Sequence, residues 1–122
     1  RNTLIVDAYN ANPTRMMAAI DNFDLMEGEN KVAILGDMLE LGEQSEVEHQ
    51  NIVRRLMESK IEKIILVGKE FKKACEALDV NKFEIVESLN DDFKFQIANF
   101  KSQLILWKGS NGIGLYKLIP YL

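Results

Sequence analysis

One cysteine, one histidine and one tryptophan are all that 122 residues contain of those three types, and each scarcity closes off a class of chemistry. With Cys75 alone there is no intramolecular disulfide, no dithiol redox pair and no metal knuckle, so its thiol reads as a small hydrophobe. His49 alone supports no Ser-His-Asp arrangement. Positive charge is short as well: 15 Lys and Arg face 19 Asp and Glu, for a net charge of −4. The lysines are scattered, leaving no basic stripe for a nucleic-acid backbone or an anionic membrane surface. No apolar run approaches a bilayer span, and no basic segment followed by a hydrophobic one opens the chain, so the expectation is a cytoplasmic protein. Nucleotide-binding fingerprints are missing too. G-x-G-x-x-G does not follow the first apolar run, and Gly68-Lys69 is followed by Glu70, with Lys63 where a phosphate loop has its first glycine. No complete nucleotide-hydrolysing machine is present.

What the chain does have is regular alternation. It is 47% hydrophobic, enough for one sizeable core, and residues 1–122 read as a single domain. Strands are predicted at Thr3–Asp7, Lys31–Leu35, "KIILV", "FEIV" and "LILWK". Between them lie segments of helical period. Asn12 caps a helix over 13–26 with Pro13 at its first position and Met16, Ala19, Ile20, Phe23 and Met26 on one face. Ser45 and Glu48 have capping-box spacing at the head of a helix over 45–59, with Ile52, Val53, Leu56 and Met57 on its apolar side. Phe71, Ala74, Cys75 and Leu78 mark a third helix, and Phe93, Ile97 and Phe100 a fourth. Gly109, Gly112 and Gly114 precede a last apolar segment, Leu115–Ile119. Strands apolar on both faces, each followed by a helix, imply an α/β fold: a Rossmann-like, doubly wound, mostly parallel sheet with helices on both faces.

Ligands of such sheets settle outside the carboxyl ends of the strands, which brings five segments to one rim: 7–12, 36–42, 68–69, 87–90 and 108–112. In the first, an aspartate suits a ribose diol, Tyr9 can stack on a base, and Asn10 and Asn12 can donate and accept at a base edge. The plainer reading of the two asparagines is turn and cap satisfaction. Asp37, Glu40 and Glu43 could hold a cation or an ammonium group, although their spacing matches no metal loop. His49 lies on the apolar side of its helix beside that loop, a place that suits a buried, hydrogen-bonded structural histidine more than a catalytic base. Lys108, Gly109 and Ser110 end the fifth strand. A lysine there suits a phosphate or carboxylate, or it simply snorkels from a strand end. Trp107 reads as core.

Taken together, "DAYNANPTRM", "LGDMLELGEQSEVEH" and "WKGSNG" resemble the carboxy-terminal domain of the Mur peptide ligases, in particular the type that joins D-alanyl-D-alanine to UDP-N-acetylmuramoyl-tripeptide in peptidoglycan synthesis. The resemblance runs from about residue 3 to the end. It implies the third domain of a cytoplasmic enzyme whose N-terminal and central domains complete it, the central one carrying the phosphate loop and holding Mg2+. In that family ATP phosphorylates the tripeptide carboxylate and the dipeptide amine attacks the acyl phosphate. The resemblance places Asp7, Tyr9, Asn10 and Asn12 at ribose and adenine, and Lys108, Gly109 and Ser110 at the dipeptide or phosphate. It sets Asp37, Glu40 and His49 at rim positions without an assigned role. Asn111 stands where the family usually has arginine, and Tyr116 where an acidic residue is common.

Two other readings compete. "LIVDAY" and Lys108 suit a phospho-accepting receiver, but its acceptor aspartate belongs at the end of the third strand, where Gly68 and Lys69 stand. A non-catalytic α/β binding module is the other.

Overall fold

The computed structural model describes residues 3–7, 11–87, 93, 96, 99–100 and 103–109. Five strands form one sheet, β1 (Thr3–Asp7), β2 (Lys31–Gly36), β3 (Lys63–Val67), β4 (Glu84–Val86) and β5 (Leu104–Lys108). Their order is β1-β5-β2-β3-β4, and every neighbouring pair is parallel. Three helices, α1 (Pro13–Leu25), α2 (Ser45–Glu58) and α3 (Lys69–Ala77), connect β1 to β2, β2 to β3 and β3 to β4.

Strand alternation builds two cores. Ala33, Leu35, Ile64, Leu66 and Leu106 face the three helices and pack on Met16, Ile20, Phe23, Ile52, Val53, Leu56, Phe71, Ala74 and Cys75. Val32, Ile34, Ile65, Val67, Ile105 and Trp107 face the other way, onto Phe93. The forward connections all advance across the sheet in one direction, so a uniform crossover hand lays their helices on one face. The return from β4 to β5 reverses direction. Phe93 and Gln96, both helical, belong to that return, and Phe93 sits on the opposite face. Ile97 and the segment Leu115–Ile119 lie outside the described residues.

Helix ends are finished in ways that local spacing does not reveal. At the head of α1, Asn12 Oδ1 accepts the Arg15 N–H at 2.8 Å, as its cap position requires. At the tail, Lys31 Nζ donates to three carbonyls, Phe23 O at 3.0 Å, Asp24 O at 2.9 Å and Met26 O at 3.1 Å. One buried ammonium thus satisfies acceptors that a helix end leaves open, with favourable charge for the dipole. The predicted capping box at α2 does not form: its N-cap is Gln44, without a side-chain bond. A 3₁₀ turn, Gly42–Gln44, leads directly into the helix, and Ser45 Oγ is used elsewhere. Met26 and Met57 also depart from their predicted faces. Met26 is the extended C-cap of α1, and both side chains are exposed.

Candidate functional site

The register of the sheet lines up the strands' carboxyl ends. Asp7 stands opposite Lys108, Lys108 opposite Leu35, Gly36 opposite Val67, and Val67 opposite Val86. Past the strands, the Asp37 N–H donates to Val67 O at 3.0 Å and the Gly68 N–H to Val86 O at 2.8 Å, so three of the exits are tied into one edge. Residues one hundred positions apart in the chain therefore share a rim, as the strand-end rule requires.

A groove of about 490 Å³ opens on this edge, lined by Asp37 to Gly42, Ser45, Gly68 to Glu70, and Glu87. Its floor is a set of buried polar contacts. Asp37 Oδ2 accepts the Glu70 N–H at 2.9 Å and Oδ1 the Phe71 N–H at 3.0 Å. The carboxylate thereby caps α3 from outside its own segment and fills the anion-seeking end of that helix with the protein's own charge. The geometry depends on Gly68, whose φ is +127° and where a Cβ would lie 2.2 Å from the Asp37 carboxylate.

His49 is fully buried. Its Nε2 accepts the Met38 N–H at 3.0 Å, which assigns the ring proton to Nδ1, donated to Ser45 O at 2.7 Å. Nε2 is 3.9 Å from Asp37 Oδ1, and the ring meets Phe71 edge-on at 4.7 Å between centroids. Ser45 Oγ donates to Glu70 Oε1 at 2.7 Å. That hydroxyl bond, with Lys73 beside it, outweighs burial and holds the Glu70 carboxyl below its ordinary range. Spacing marked Ser45 as a helix cap and left Glu70 unnoticed, because their partnership spans 25 positions.

Of the rim residues named from the sequence, Asp37 and His49 are turned inward, whereas Glu40 is exposed on the groove wall with a left-handed backbone, φ +62°. Glu43 is exposed in the 3₁₀ turn. Asp7 and Lys108 are brought side by side in register, and Lys108 is fully buried and partnered. Gly109 follows it, half-buried, while Asn12 is engaged as a cap. Tyr9, Asn10, Ser110 and Asn111 lie outside the described residues. The receiver reading finds no acceptor among the described residues: Gly68 follows β3 as the N-cap of α3, and both oxygens of the buried Asp37 are taken by amides. Among the described residues no three His, Cys, Asp or Glu side chains gather into a metal site.

Residues 1–111 match the family model described as Mur ligase, glutamate ligase domain. The chain belongs to this family. Over 97% of its length it is 33% identical to UDP-N-acetylmuramoyl-tripeptide--D-alanyl-D-alanine ligase of Rickettsia prowazekii, and over 98% it is 31% identical to the Bacillus subtilis ligase of that name. A crystal structure of MurF from Acinetobacter baumannii superposes with a TM-score of 0.81 at 32% identity, covering 98% of the chain. MurF ligase from Thermotoga maritima, solved in complex with ADP, shares the fold with a TM-score of 0.73 at 21% identity. The Mur ligase domain described here spans about a quarter of these proteins: 27% of the Rickettsia ligase, 28% of the Bacillus one and 27% of the Acinetobacter chain.

Proposed function

We propose that this chain is the C-terminal, third domain of an ATP-dependent ligase that adds D-alanyl-D-alanine to UDP-N-acetylmuramoyl-tripeptide, and that it works only with the N-terminal and central domains of the same protein. The observation that carries this reading is the end-to-end similarity to ligases named for that reaction, combined with coverage of only a quarter of their length. The rim geometry supports it. Asp7 and Lys108, 101 positions apart in sequence, are register partners at the ligand edge.

In this reading the β1 exit, with Asp7, Tyr9, Asn10 and Asn12, meets ribose and adenine, and the β5 exit, with Lys108, Gly109 and Ser110, meets the dipeptide or phosphate side. Phosphates are cradled by the central domain, since α3 spends its N-terminus on Asp37. Magnesium is held there as well. When bound, ATP supplies the phosphoryl group that activates the tripeptide carboxylate. This domain's part is to close over the site, exclude water from the activated acyl group and orient the incoming amine.

The test is amide-bond formation by the full-length protein from ATP, UDP-N-acetylmuramoyl-tripeptide and D-alanyl-D-alanine, compared with D7A in the same protein. The reading requires turnover by the first and a KM for ATP raised about ten-fold in the second. Unchanged kinetics in D7A would return the domain to a binding module.

A further inference from the structure

We infer that His49 is a positioning residue for the incoming amine, acting through the Met38 amide to hold the groove wall that receives the dipeptide. The inference rests on the ligase reading above and adds a role for a residue that touches no ligand itself.

A leucine would pack beside Phe71 as well as an imidazole does. What the imidazole adds is polar: an acceptor at Nε2 for Met38 N–H, 3.0 Å away, and a donor at Nδ1 for Ser45 O, 2.7 Å away. Met38 is where the chain leaves the sheet. The Asp37 N–H still bonds to β3, whereas the next N–H turns inward to the histidine. A buried amide without an acceptor is costly, so His49 decides where the loop departs. Two residues on, Glu40 holds a left-handed backbone with its side chain exposed on the groove wall. A non-glycine residue persists in that conformation only where its surroundings enforce it, and the Met38 tether is the constraint on this side of the loop.

The groove's chemistry names the ligand class. Four carboxylates line it, Asp37, Glu40, Glu70 and Glu87, against the cation Lys69. Asp37 is spent on the α3 amides, Glu70 pairs with Lys73 and Glu87 with Lys72, so it is Glu40 that the wall offers to a ligand. Phosphates are disfavoured beside it, whereas the ammonium end of a zwitterionic dipeptide is favoured. The loop also leaves β2, next to the β5 exit assigned to the dipeptide side and two strands away from the β1 exit assigned to the nucleotide. Disturbing the loop therefore acts on the dipeptide and spares ATP.

Three variants of the full-length enzyme test this. H49L removes both polar groups. H49N reaches only to the Nδ1 position, and H49Q places a carboxamide where Nε2 sits. H49L and H49N are expected to speed hydrogen exchange in the 37–41 segment and to raise KM for D-alanyl-D-alanine about ten-fold with KM for ATP unchanged. H49Q is expected to restore both. Unchanged ATP kinetics also shows that the variants are folded; if H49L fails that check, the comparison of H49N with H49Q stands in its place. Faster exchange with a wild-type dipeptide KM overturns the inference and leaves the ligase reading intact. A wild-type enzyme that forms no amide bond overturns the ligase reading instead, and exchange at Met38 still tests the tether.

Discussion

Gly68 shows how much can depend on one missing side chain. Its φ of +127° and the 2.2 Å separation between a built Cβ and the Asp37 carboxylate leave no room for alanine. G68A must strain the backbone and push Asp37 off the α3 amides, two costs that together reach about 3–4 kcal/mol. Chemical denaturation of the wild type and G68A measures the difference. A cost below about 1 kcal/mol would mean that the carboxylate moves aside freely. The sequence placed Gly68 and Asp37 on the same rim because each follows a strand. It did not join them, because no local pattern announces a cap drawn from 33 positions away. His49 was more legible. Its place ahead of Ile52 and Val53 on one helical face predicted burial, while the identity of its partner, a loop amide, depended on tertiary packing.

At the scale of elements, the polar ties between helices and strands outnumber what periodicity suggests. Asp24, in the last turn of α1, accepts the Lys60 N–H at 2.7 Å and Arg55 Nη2 at 3.0 Å, while Arg55 Nε also reaches Asp21 at 2.7 Å. Burial alone raises the Asp24 carboxyl, but the Lys60 amide and the Arg55 guanidinium outweigh it and hold the net value below the ordinary 3.8. A carboxyl depressed in the folded state stabilises above its unfolded pKa and loses that contribution as pH falls through the folded value. D24N should therefore cost about 1 kcal/mol near pH 7, with the gap closing below about pH 4. Urea titrations at pH 7 and at successively lower pH below about 4 check the sign; a gap that does not narrow on acidification would assign the loss to packing. Helix and strand boundaries themselves were legible almost throughout. The β-branched and aliphatic runs became the strands, and Pro13 behind Asn12 opened α1 as predicted. The failures were at termini, where Ser45 was drawn away from α2 by Glu70 and Lys31 was drawn under α1.

For the whole molecule, the parallel α/β class was readable because buried strands on both faces leave no polar alternation. The strand order was not, since it depends on where β5 inserts. The shared rim followed from the class alone, and the register confirms that Asp7 and Lys108 meet on it. In the proposed ligase reading, function at this scale belongs to the assembled three-domain protein. The isolated domain is expected neither to hydrolyse ATP nor to form an amide bond, and to bind nucleotide no better than about the millimolar range, because its sequence carries no phosphate-loop motif. Calorimetric titration of the purified domain with ATP measures this, and micromolar affinity would contradict it.

The insertion of β5 between β1 and β2 also sets a timetable for the nascent chain. Until the ribosome has released residues 104–108, the opening strand has no neighbour and β2 has one bare side. Two unsatisfied hydrogen-bonding edges then stay exposed while the rest of this domain is synthesised, where they invite misassembly. A truncation ending at residue 103 should accordingly be recovered as aggregate, although it lacks only one strand of the described sheet.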